Sequence, residues 1–425
     1  MNIINYNEVA LHNSFTDCWI VIDGNVYDIS NFISQHPGGS ILGIYAGEDA
    51  TAAFYSSHMS NIGSELLEPY KVAEITNYQP TFKIYNDDFI ITLKHRVIEY
   101  FTKNNINYKT TYKNNLNIIF SAISFIACWL LMYTLPTPFG YIAAIPMGLI
   151  TCSLIGSFGH ELIHDNIDIF RKKTGIHRTL LNNIMWGLFI PFMPERYFQY
   201  EHLRHHDYPV NPKYDYDVYA LKDFLRLSPD IKIKKIHAYQ HLYAPFIYGF
   251  YIFIQVFNGY LTSFFDKREI LKDKGVILNI ISMNTISIVF HIIIPIWLTD
   301  AWWVVICAST YFFTWQLAIY LSSGAPHLTD PSVHQTHKSW AFYVCSTTKN
   351  LKTSSHIVSW LTGGLNHHLA HHLLPSVPKE HLPKVLHIVE ATCLEFGYPY
   401  YTYTSIKDYI KDHYLYLYKL GNNTI

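Results

Sequence analysis

The sequence predicts a membrane protein in two parts: a small acidic N-terminal domain, followed by an all-α integral membrane domain built on two transmembrane helical hairpins. Three observations carry this prediction. Half of the 425 residues are hydrophobic and only 15% carry a formal charge, a balance foreign to an ordinary soluble domain. Four charge-free apolar runs, at 116–135, 139–158, 276–298 and 301–321, are long enough to cross the hydrocarbon core. The charge is also unevenly spread: residues 1–80 carry nine acids against the single base Lys71, a net −8, while residues 81–425 carry +7. Opposite net charges favour association of the two parts.

The chain therefore divides into residues 1–80, a linker over 81–115, and a membrane domain over 116–425. In the linker, Ile90, Leu93, Val97 and Phe101 recur at helical spacing with charged residues between them. That pattern predicts an amphipathic helix over 87–103 lying on the bilayer, or alternatively one packed on the N-terminal domain. The apolar runs form two pairs. Pro136-Thr137-Pro138 joins one pair and Thr299-Asp300 the other, so each reads as a hairpin returning the chain to its starting side. Bases gather at the outer ends (Lys109, Lys113, Arg171, Lys172, Lys173, Lys267, Arg268, Lys272, Lys274) and are absent from the turns, which places the bulk segments in the cytosol. Trp297, Trp302 and Trp303 suit an interfacial belt at the second turn. The stretches 180–193 and 242–258 are short for a crossing and contain Pro191 and Pro245; they are expected to be interfacial or re-entrant. Six scattered cysteines without a CxxC pair fit a reducing compartment. The first residues show no basic start and apolar stretch of a signal peptide.

Chemistry is concentrated in the histidines. In the N-terminal part, His36-Pro37-Gly38-Gly39 is followed by Asp49-Ala50-Thr51 and His58. A haem used for electron transfer alone needs both axial positions filled, and His36 and His58 are the candidates. Pro37 restrains the backbone beside the first, and the two glycines permit a tight turn. Residues 6–75 resemble the cytochrome b5 family, with Trp19, Asp23-Gly24 and Tyr27-Asp28 in the pattern. The resemblance implies an α+β haem b domain, a one-electron carrier supplied by an NAD(P)H-dependent cytochrome b5 reductase.

Three further clusters follow: His160-Glu-Leu-Ile-His164, His202-Leu-Arg-His205-His206 and His368-Leu-Ala-His371-His372. Residues at i and i+3 or i+4 share a helix face, so each cluster can present imidazoles to a common point. Eight imidazoles are too many for one ion and suit two, and imidazole is a good ligand for iron. The first cluster also matches the HExxH pattern of zinc peptidases, with Glu161 as general base, but the other two have no part in such a site. The second could be a solvated polar face, a reading that the repeated HxxHH spacing opposes. His177, His237, His241 and His291 are expected to be structural, and His367 projects about 100° away from its helical neighbour.

The ensemble resembles the membrane fatty-acid desaturases, most closely the b5-fused front-end branch that includes sphingolipid desaturases. The resemblance extends to Tyr239-Gln240-His241-Leu242-Tyr243-Ala244-Pro245, to Gly363-Gly364-Leu365-Asn366 and to Leu373-Leu374-Pro375. It implies two non-haem irons held by His160, His164, His202, His205, His206, His371 and His372, with His368 in the third box and His327 as a further ligand. It also implies O2 as co-substrate, a lipid substrate (acyl-CoA, phospholipid acyl chain or sphingolipid) and the endoplasmic reticulum membrane, with haem and boxes on the cytosolic side. No nucleic-acid partner is expected. Two departures leave the regiochemistry open: His368 stands where front-end enzymes usually have Gln, and the first box, which commonly reads HD, here reads HE with Glu161, a form that resembles alkane monooxygenases. Abstracting hydrogen from an unactivated methylene needs an oxidant stronger than any side chain, so the chemistry belongs to metal and O2. A hydroxylase using the same iron site is the nearest alternative, and a tethered haem carrier without catalysis a distant one.

Overall fold

The computed structural model describes residues 2–60, 64–76, 78–109, 111–135, 138–167, 176–265, 274–329, 339–352 and 354–424. The basic residues Arg171–Lys173, Lys267, Arg268 and Lys272, and Pro136-Thr137 of the first turn, lie outside them.

The N-terminal domain is α+β. Its five strands stand in the order Asn2–Ile4, Lys71–Ile75, Asn25–Asp28, Trp19–Ile22, Glu48–Asp49. The central pair is an antiparallel hairpin whose two-residue turn has positive φ at both Asp23 (51°) and Gly24 (77°), the backbone twist that Asp-Gly supplies. Ile20, Ile22 and Tyr27 point into one buried cluster, and Val21 and Val26 into another on the opposite face, as the two-residue period of a strand requires.

Among the described residues, four helices are long and apolar enough to cross a membrane: Tyr112–Thr134, Phe139–Ile163, Lys274–Leu298 and Ala301–His327. They cover the four predicted runs and extend the second to the first histidine cluster and the fourth to His327. The second helix packs on the first and fourth. Two of the four widen into π turns, at Ile155–His160 and Val289–Ile293. The first of these delivers His160, in keeping with the frequent placement of π turns at functional positions.

The expected bilayer-lying helix takes a different partner. Asp88–Lys103 is helical and begins with an Asp87 cap on the Ile90 N–H. Its apolar face is closed off by protein, however, because Phe89, Ile90, Leu93, Val97 and Phe101 are buried against Val385, Val389 and Cys393 of Leu382–Phe396. Burial of each such side chain is worth about 1.5–3 kcal/mol. On the same helix the Lys94 ammonium donates to the backbone carbonyls of Tyr55 and His58, so the helix touches the N-terminal domain through Lys94 while its apolar face meets Leu382–Phe396, which neither expectation named. Ile176–Phe189 lies along Lys274–Ile288. Gln240–Gly249 and Tyr251–Phe265 expose Leu242, Phe246, Phe253, Phe257 and Leu261.

Candidate haem site and di-metal centre

In the N-terminal domain, Thr51–Ser57 ends at His58, whose Nδ1 lies 2.8 Å from the Phe54 carbonyl. The His36 and His58 ring centroids are 6.1 Å apart. Two imidazoles bound to one ion through bonds of about 2.0–2.1 Å need about 6.3 Å once the ring radii are added, so this pair fits an axial role. Phe32 and Phe54 lie beside them, at 5.7 Å from His36 and 5.0 Å from His58 respectively, and both pack against the domain's apolar core.

In the second domain the three boxes converge and sort into two pockets. His160, His164, His202, His206 and His371 form one; His205, His327, His368 and His372 form the other. Helix geometry explains the sorting. Residues at i and i+4 share a face, whereas consecutive residues diverge by about 100°. The second box, on the helix Glu195–Asp207, therefore gives His202 and His206 to the first pocket and His205 to the second. The third box, on His368–Leu373, does the reverse: His368 and His372 enter the second pocket and His371 the first. His327, from the end of the fourth apolar helix, completes the second pocket.

Within the pockets the Nε2 atoms face one another. His164 to His202 is 3.1 Å, His202 to His206 2.9 Å, and His206 to His371 3.0 Å. In the second pocket His205 to His327 is 3.1 Å and His327 to His368 2.8 Å. A neutral imidazole has one N–H to give, which cannot satisfy such a chain of Nε2 atoms. Nitrogens about 2.1 Å from a shared ion, by contrast, stand about 3.0 Å apart along the edge of an octahedron. Both ring nitrogens of His160 and His372 are buried without a hydrogen-bond partner. The donor set thus fits two metal ions.

Surrounding groups orient these rings. Asp215 Oδ2 lies 2.9 Å from His205 Nδ1, and the His327 Nδ1 lies 2.9 Å from the Thr347 carbonyl; each bond directs the opposite nitrogen inward. Burial holds His164 and His368 down to about 3 and puts His202, His206, His371 and His372 well below the usual histidine range, which keeps them as the neutral, ligating form. Burial also opposes charge on His205, but the Asp215 carboxylate, by charge and hydrogen bond, outweighs it and raises that pKa.

Glu161 does not suit a peptidase base. It is fully buried, and its Oε2 accepts the Lys379 backbone N–H at 3.1 Å, tying the first box to the segment after the third. Asn166 makes a parallel tie to the Pro375 carbonyl at 2.8 Å. The remaining histidines stay outside the pockets: His291 meets the Leu188 carbonyl at 2.9 Å, His367 the Ser359 hydroxyl at 3.3 Å, His237 the Lys234 N–H at 3.1 Å, and His241 sits against Tyr414 and Tyr418. The side chain of His177 lies outside the described residues. Sequence reasoning passed over Asp215, which is ten residues from His205 and carries no spacing signal of its own.

The family model described as fatty acid desaturase matches residues 136–404, a span that holds every box and His327. The chain belongs to the fatty acid desaturase family. It is an oxidoreductase of that family, and residues 5–76 match the cytochrome b5-like heme/steroid binding domain. The chain is similar along nearly its whole length to three desaturases that differ in source. It is 27% identical to the acyl-lipid (8-3)-desaturase of Physcomitrium patens, covering 97% of this chain and 90% of that one. It is 28% identical to the Delta(5) fatty acid desaturase A of Dictyostelium discoideum, covering 98% and 94%. The acyl-lipid (8-3)-desaturase of Mortierella alpina is 26% identical, covering 93% and 92%.

Proposed function

We propose that this desaturase introduces a double bond into a fatty acyl or sphingoid chain at a di-iron centre and draws its electrons from its own haem. The carrying observation is the division of nine imidazoles into two adjoining pockets. His160, His164, His202, His206 and His371 would hold one iron, and His205, His327, His368 and His372 the other. His36 and His58 would hold haem b. Two bound irons supply the reduction of O2 and an oxidant strong enough for an unactivated methylene.

The protein's own part is placement and exclusion of water. Phe198 stacks on His202 at 5.8 Å, and Trp186 packs on both Phe198 and Phe158. These aromatic rings adjoin the first pocket through His202, and an acyl chain would be held against the metals beside them. Asp215 and Thr347 keep the second pocket's rings aimed inward.

The four apolar helices form two hairpins with both domains on one side of the bilayer. Lys113 and Lys274 lie at the ends nearest the catalytic domain, while the largely exposed Trp297 and Trp302 flank Thr299-Asp300 at the far turn. By the positive-inside rule, haem and boxes would lie in the cytosol, at the endoplasmic reticulum, where an NAD(P)H-dependent cytochrome b5 reductase would supply electrons. The exposed apolar residues of Gln240–Gly249 and Tyr251–Phe265 would rest in the bilayer interface.

Expression in a yeast-like host with mass-spectrometric lipid profiling tests the reading. New alkenes that depend on His36 and on O2, with about two non-haem irons per haem, are expected. An oxygenated lipid without an alkene would make the enzyme a hydroxylase. Haem alone, without iron or turnover, would leave a tethered carrier.

A further inference from the structure

The helix Glu195–Asp207 has two working faces. His202, His205 and His206 point to the metal pockets, while Tyr200, Leu203, Arg204 and Asp207 face the haem domain. Leu203 is buried in that domain's apolar cluster beside Ile44 and Tyr45. Arg204, a residue only 7% exposed, pairs through its guanidinium with the Glu48 carboxylate and donates to the Asp49 carbonyl at 3.3 Å. It also lies over the Tyr45 ring at 5.0 Å and the Tyr200 ring at 5.7 Å. The Tyr45 hydroxyl donates to Asp207 Oδ2 at 2.9 Å, and the Tyr200 hydroxyl to Glu48 Oε1 at 3.2 Å.

We infer that Arg204, from inside the second histidine box, latches the haem domain to the catalytic domain, and that this helix face is where electrons enter. The inference rests on the proposed use of the haem as donor. Glu48-Asp49 is the edge strand of the haem domain's sheet, so one guanidinium holds a carboxylate, a main-chain carbonyl and two aromatic faces of the two domains together. A planar group with five donors can do this; an ammonium cannot. Its burial distinguishes it from an exposed ion pair of little worth. Lys94 forms a second clamp through the Tyr55 and His58 carbonyls, so the loop bearing the candidate axial ligand is held as well. The net −8 and +7 of the two parts bring the domains together, and Arg204 sets their register. Asp207 adjoins His206, so the contact leads directly to the metal-facing side of the same helix. A haem held by His36 and His58 would give up electrons one at a time, each reducing by one an acceptor held by the boxes. Fixed docking makes that transfer intramolecular and independent of enzyme concentration.

The test uses the full-length protein in nanodiscs, with Glu48→Arg, Tyr45→Phe, and the charge swap Glu48→Arg/Arg204→Glu. Glu48→Arg should leave the haem spectrum and iron content unchanged. It should raise amide hydrogen exchange over residues 43–50 and slow stopped-flow haem reoxidation in O2 by at least tenfold. Tyr45→Phe should slow reoxidation about threefold. The swap should recover most of the rate where it retains iron. Unchanged exchange and reoxidation in Glu48→Arg would overturn the latch, and this arm decides the matter even if Arg204→Glu loses metal. Altered exchange without any alkene in the wild-type product would instead sink the desaturase reading and leave the latch standing.

Discussion

Gly156 and Gly363 meet backbone to backbone: a Cβ on Gly156 would lie 2.8 Å from the Gly363 Cα, and one on Gly363 would lie 2.6 Å from the Gly156 Cα. Gly156 sits one turn before His160, and Gly363 five residues before His368, so this contact sets the distance between the first and third boxes. With no Cβ on either residue, the π turn that carries Gly156 and the turn that carries Gly363 can come this close. Gly156→Ala should therefore cost about 1–3 kcal/mol and lower the iron-to-haem ratio. Gly363→Ala should cost more, because Gly363 also has a φ of +59°. Gly397→Ala is the control: its φ is +69° with open space around it, so it should cost about 1–2 kcal/mol and leave metal content alone. Thermal unfolding and metal analysis of the three variants check this.

Asp215 governs the second pocket through a single bond to His205. Asp215→Asn should weaken metal binding there by about 10–100-fold while the five-histidine pocket keeps its affinity. Titration of the metal-free protein with Fe(II), read as two separate binding events, would show it. Equal weakening of both events would contradict the assignment of His205 to the second pocket.

Metal removal should destabilise the catalytic domain and leave the haem domain intact. The buried imidazoles face one another without enough protons to satisfy them, and a ligand bound at about 1,000 times its Kd contributes about 4 kcal/mol. Chelation should lower the catalytic domain's melting temperature, and Fe(II) should restore it, with the haem Soret band unchanged throughout.

Acid should loosen the C-terminal helix Ile406–Gly421. His413 there is buried, with Nδ1 3.0 Å from the Leu328 carbonyl, Nε2 3.2 Å from the Tyr248 hydroxyl and the Tyr320 ring nearby. Burial pushes its pKa down to about 4. A depressed pKa means that the folded state binds fewer protons than the unfolded one. The stability is therefore whole above about 6.5 and is lost as pH falls from there through 4, by at most about 3 kcal/mol. Hydrogen exchange of this helix should accelerate across that window. The box histidines titrate too, so the difference from His413→Gln, which should show a shallower pH slope in this helix, isolates the effect.

Much of the site was legible before the fold. The HxxHH spacing placed imidazoles on common helix faces, and the four apolar runs emerged as helices. What spacing withheld was the division of ligands. His205 and His206 are neighbours in the chain yet enter different pockets, because the helical twist separates adjacent residues and only the packing of three helices and His327 says what each direction meets.

The sequence by itself determined the two-part architecture, the apolar helices and the histidine clusters, since each is written in local composition and period. Tertiary structure alone decided the partners. Amphipathicity shows that the helix Asp88–Lys103 needs an apolar neighbour, but the hydrophobic effect has no direction, and the folded chain offered Leu382–Phe396 where a bilayer was expected. Likewise Arg204 reads as one base within a metal-binding box. Only the docking of a domain some 150 residues earlier in the chain, with Glu48 and Tyr45 against it, shows that the opposite face of that helix receives the haem domain.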